Sequence, residues 1–102
     1  MIEVQILIPT NENSGQTFAP NHDAAFESEL LRLFGGCSLL PGTVAGQWVD
    51  AGTIYTDQSR VYAVALKSLT EGNKVREATE FAKIHYGQLA IYVRYLGLSE
   101  VL

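Results

Sequence analysis

Two helical stripes, each closed by glycine, fix the order in which this chain must fold. Phe26, Leu30, Leu33 and Phe34 recur at helical spacing over about Asn21 to Phe34, within a stripe about 100° wide, and Gly35-Gly36 supplies a left-handed stop. Val75, Ala78, Phe81, Ala82, His85 and Tyr86 gather on one side of a second helix, which opens near Thr70-Glu71-Gly72-Asn73 and stops at Gly87. Asn21 or Asp23 is the expected cap of the first helix and Thr70 of the second, each accepting from a free backbone N–H.

The segments around these helices alternate with a period of two. Ile2, Val4, Ile6 and Ile8 share one face of a strand that Pro9 ends, because proline cannot donate to a ladder. After the Pro41-Gly42 turn, Thr43 to Val49 reads as a strand in which Gly46 permits a bulge. Asp50-Ala51-Gly52 turns the chain into a long strand from Thr53 to Leu66, with a kink or bulge expected at Asp57-Gln58-Ser59. Leu89 to Tyr95 alternates again as the last strand.

Strand, helix, hairpin, helix, strand is the split-βαβ order. It predicts one domain over residues 1–102: an α+β, ferredoxin-like βαββαβ sandwich with a four-stranded antiparallel sheet and two helices on one face. The helix-free face then carries Gln5, Leu7, Ala90, Tyr92 and Arg94, and a homodimer would cover it.

Composition narrows the function. The net charge is −4 and the seven Lys and Arg residues form no run, so phosphate-backbone binding is disfavoured. The lone Cys37 excludes an internal disulfide and points to a reducing cytoplasm. No basic segment precedes an apolar stretch at Met1, and the longest apolar run, Val61 to Leu66, is far too short to span a bilayer.

Chemistry-bearing motifs are sparse. No His-x-His, Cys-x-x-Cys or His-Glu-x-x-His spacing occurs, so neither a metal nor a cofactor is expected. Gly35-Gly36 follows a helix and lacks the lysine of a phosphate loop, and no catalytic residue is assigned. His85 lies on the packing face of its helix, as a packed histidine or a binding group would. His22, beside Asp23, is expected in exposed capping surroundings. Trp48, Tyr55, Tyr62 and Tyr92 combine apolar area with a polar handle, which suits a pocket for a small apolar or aromatic ligand, a core or an interface equally. His85, Trp48, Tyr55, Tyr62 and Tyr92 are therefore the ligand-binding candidates.

The element order, with Gly35-Gly36, Gly46-Gln47-Trp48, Tyr62-Ala63-Val64 and Gln88 to Val93, resembles small uncharacterised ferredoxin-like proteins of bacterial and phage type. More loosely it resembles the dimeric α/β-barrel superfamily, whose members dimerise through open sheet faces and bind aromatic substrates between sheet and helices. With no catalytic constellation in the sequence, a non-catalytic dimeric binding or interaction module is the expected function, and the barrel resemblance implies the alternative, a cofactor-free enzyme or small-molecule binder. A nucleic-acid module ranks behind both, since no basic stripe or RRM-type aromatic signature is present.

Overall fold

In the computed structural model, which describes residues 1–98, the chain forms β1 (Ile2–Pro9), α1 (Asp23–Phe34), β2 (Ser38–Leu39), β3 (Val44–Asp50), β4 (Thr53–Leu66), α2 (Gly72–Tyr86) and β5 (Val93–Leu98). Every pairing of the sheet is antiparallel. β1 lies between β4 and β5, while β2 and β3 line the other edge of β4. This is the α+β ferredoxin-like arrangement, with five strands among the described residues where four were expected. The extra one, β2, arises because residues on both sides of the Pro41-Gly42 turn pair with β4: Ser38 with Ala63 before it, Val44 with Ser59 after it.

The core sits between the helices and one sheet face. Val4, Ile6 and Ile8 of β1 and Tyr62, Val64 and Leu66 of β4 meet Phe26, Leu30 and Leu33 of α1 and Val75, Ala78, Ala82 and Tyr86 of α2. Phe81 is only partly buried at its margin. Gly35 and Gly87 close the helices in left-handed conformations, their N–H groups returning to the last turn as in glycine-terminated helices generally.

Four local expectations are corrected. No bulge interrupts β3 or β4, because the register runs unbroken from Val44–Ser59 to Asp50–Thr53. Gly46 serves instead to admit a neighbour: a Cβ there would lie 2.8 Å from Oδ1 of Asp57, its cross-strand partner. The last strand starts at Val93, not Leu89, and Leu89 is fully exposed. Neither helix has a side-chain N-cap, since Asp23 is engaged elsewhere and Glu71 accepts instead from the Lys67 backbone N–H at 2.8 Å.

β4 outruns β1. Its ladder with β1 ends at Ser59 and Thr10 N–H adds one last bond to the Gln58 carbonyl at 3.1 Å, so residues 53–57 have only β3 beside them among the described residues. The β3–β4 hairpin therefore stands off the body as a two-stranded arm, and the longest dimension of the molecule is 43 Å against 30 and 25 Å.

Candidate functional site

The densest polar and aromatic cluster lies where the start of α1 meets the end of α2. Arg60 is in phase with Tyr62 and Val64 along β4, so it projects toward the helices rather than away from them. Its guanidinium donates to Asp23 Oδ1 at 2.9 Å and lies 2.7 Å from Oδ2. The Tyr86 hydroxyl donates to the same Asp23 Oδ1 at 2.5 Å. One turn further along α1, Glu27 accepts from the Tyr62 hydroxyl at 2.5 Å. Burial, reinforced by donation to a carboxylate that would repel a second negative charge, pushes both phenols well above the ordinary tyrosine range. Arg60 Nε is buried with no hydrogen-bond partner among the described residues.

Beside this network, His22 and His85 stack at 4.0 Å between ring centroids, nearly parallel. Each ring bonds the backbone of the other: His22 Nε2 meets the His85 carbonyl at 2.8 Å, and His85 Nε2 meets the His22 carbonyl at 2.6 Å. A carbonyl only accepts, so both Nε2 atoms carry the proton. Phe18 stacks on the outer side of His22, and Tyr86 stands edge-on to both imidazoles. The expectation of an exposed His22 is thus overturned: the ring is half-buried because it closes the gap between two helix ends.

The arm carries a second aromatic pair. Trp48 and Tyr55 face each other across β3 and β4 and stack at 4.5 Å. Val49 and Ile54 pair on its opposite side. All four are in water: Trp48 is 50% exposed, Val49 65%, Ile54 67% and Tyr55 43%.

The sequence candidates therefore separate rather than converge. His85 belongs to the helix-end clasp, and Tyr62 is buried beneath it with its hydroxyl on Glu27. Trp48 and Tyr55 stand on the arm, and Tyr92, exposed, precedes β5, its carbonyl accepting from Leu7 N–H at 3.0 Å. Asp23, Glu27 and Arg60 escaped sequence reasoning, although one signal was present. A charge in phase with the buried residues of a strand needs a partner on the facing helix.

Two open grooves flank the body. One, of about 400 Å³, lies beside Gly35, Gly36 and Cys37 with Glu3 at its rim. Burial and the nearby Glu27 carboxylate push the Cys37 thiol up, which makes it a poor nucleophile. The other, of about 410 Å³, runs between α2 and β5. Among the described residues, no cluster of three or more His, Cys, Asp or Glu could hold a metal ion, and no helix is long and apolar enough to cross a membrane.

No sequence-family profile matches the chain, and no curated protein sequence matches it. Its backbone does match solved structures. A phage SAM lyase in complex with S-methyl-5'-thioadenosine superimposes with a TM-score of 0.69 at 12% identity, over 94% of this chain and 80% of that one. The divalent cation tolerance protein CutA1 of Thermus thermophilus gives 0.66 at 16% identity, over 99% and 86%. The periplasmic divalent cation tolerance protein CutA of Archaeoglobus fulgidus gives 0.67 at 13%, over 99% and 86%. These neighbours share the ferredoxin-like arrangement, and at such identities the likeness is one of fold.

Proposed function

We propose that this chain is a non-catalytic binding module that works as an assembly of its own copies, joined through the β3–β4 arm. The observation that carries this reading is the exposure of Trp48, Val49, Ile54 and Tyr55 on both sides of a two-stranded ribbon. A lone hairpin is marginal in water, and an exposed apolar edge is a template for pairing. The helix-free sheet face offers less than the sequence suggested. Val61 on β4 is nearly closed off beside half-buried Leu7, and Ala90 lies outside the strand, against the groove beside α2. A homodimer is the smallest assembly that would cover the arm.

The disposition of the polar groups supports a binding role over a reactive one. Asp23, Glu27, His22 and His85 each engage partners within the chain, in bonds that tie helices to each other and to the sheet. A cytoplasmic setting fits the lone thiol of Cys37.

Sedimentation equilibrium tests the reading. The wild type is expected at a multiple of the 11.2 kDa chain mass, and a Trp48→Ser, Ile54→Asp variant as a folded single chain. A wild type that remains one chain at hundreds of micromolar overturns it.

The small-molecule alternative is favoured by the flat Trp48–Tyr55 stack, on which a planar ring could lie. S-methyl-5'-thioadenosine, the ligand of the phage SAM lyase structure, is the first probe to try. A saturable rise in melting temperature with that compound, absent in Trp48→Ser, would favour this reading.

A further inference from the structure

We infer that the groove between α2 and β5 receives the arm of another copy of this chain, β3 of one copy adding as a strand to the open edge of β5 of the next. The inference rests on the proposed role of the arm and names the surface it reaches. Two open edges exist at opposite ends of the sheet: among the described residues, β5 pairs only with β1, and β3 only with β4. They match in length, at six and seven residues, roughly 20 Å each at about 3.3 Å per residue. Strand addition to such an edge takes its affinity from main-chain hydrogen bonds and its selectivity from the flanking side chains.

Those side chains are complementary. The groove is lined by apolar Val75, Ile91 and Val93, with Tyr95 on β5 and with Arg76, Lys83 and one acid, Glu80, on the α2 wall, a net positive charge. Arg76 has no ion pair among the described residues. Among the described residues, Lys83 pairs only with exposed Glu80, at 3.1 Å. The arm is of the opposite sign: residues 43–59 contain Asp50 and Asp57 and no lysine or arginine. Gly46 sharpens this, because its missing side chain lets the Asp57 carboxylate lean from β4 over β3, toward the open edge. Trp48, on the same face of the ribbon as Asp50 and Asp57, supplies apolar surface for the groove's apolar lining.

Charge reversal decides the matter. Arg76→Glu with Lys83→Glu should weaken wild-type self-association at least tenfold, and Asp50→Lys with Asp57→Lys should do the same. The chain carrying all four changes should regain assembly to within a few-fold of wild type. Circular dichroism and melting of each variant establish folding, and Arg76→Glu alone replaces the groove pair if that pair fails to fold. An assembled wild type that Trp48→Ser, Ile54→Asp dissociates and groove reversal leaves intact overturns the groove while sparing the arm. Dissociation by both reversals without recovery in the fourfold variant also overturns the groove. A wild type that never assembles removes both.

Discussion

The Tyr86 hydroxyl on the last turn of α2 donates to the carboxylate of Asp23 on the first turn of α1, 63 residues away, and Arg60 of β4 bonds the same carboxylate. One acid thus ties both helices to the sheet, at a helix N-terminus where negative charge is favoured. Its partners lose unequally when it changes. Tyr86→Phe removes one charge-assisted bond and should cost about 1–2 kcal/mol. Asp23→Ala leaves the Arg60 charge uncompensated beside an already unpartnered Nε, and should cost about 2–3 kcal/mol, less than a fully buried pair because both side chains retain some exposure. Urea unfolding of the two variants should show that order.

The raised phenols of Tyr62 and Tyr86 give a pH dependence of fixed sign. Folding favours the neutral phenol, so the stabilisation is complete below the unfolded tyrosine value of about 10 and is lost as pH rises above it. Melting temperature should fall steeply above about pH 10. Tyrosinate absorbance should show these two rings ionising together with unfolding. The Tyr62→Phe, Tyr86→Phe chain, though less stable at neutral pH, should show a flatter profile.

His85→Gln tests the helix-end clasp. The imidazole donates to the His22 carbonyl, stacks on His22 and touches Phe81 and Tyr86. A glutamine amide can reach for the carbonyl but cannot restore the stack. The loss should be about 1 kcal/mol, read by urea unfolding, with the assembly mass unchanged.

Periodicity carried the fold because each element has one wet side. Ile2, Val4, Ile6 and Ile8 alternate, Phe26, Leu30 and Leu33 recur at helical spacing, and glycines end both helices, so local pattern and tertiary burial agree. The arm was less legible. Trp48, Val49, Ile54 and Tyr55 are apolar on both faces, which in sequence reads as burial, whereas here β1 ends before it can cover them. Leu89 misled similarly: alternation continued through Leu89 to Val93, but Gly87 closes α2 so near β5 that the chain needs those residues to cross over. The helix-end network showed in the sequence only through Arg60, a charge in phase with buried strand residues, and its partners could not be read. Asp23, Arg60 and Tyr86 lie far apart in the chain, and no spacing rule joins them.

The last prediction separates the arm's contribution to assembly from its contribution to the fold. Trp48 stacks on Tyr55, yet half its surface remains in water and it is no part of the core cluster. Truncating a half-exposed ring on a ribbon should change the stability of the single chain by less than about 1 kcal/mol, the cost of one cross-strand aromatic pair. Phe26, fully buried against Tyr62 and Tyr86, is the control, and Phe26→Ala should cost about 3–5 kcal/mol. If the arm joins copies, Trp48→Ala should lower the midpoint of unfolding far more at high protein concentration than at low, because it removes stabilisation that mass action supplies. Phe26→Ala should lower it at every concentration. Unfolding curves from one to several hundred micromolar distinguish the two patterns. A Trp48→Ala effect that is large and independent of concentration would make the arm part of the fold and not of an interface.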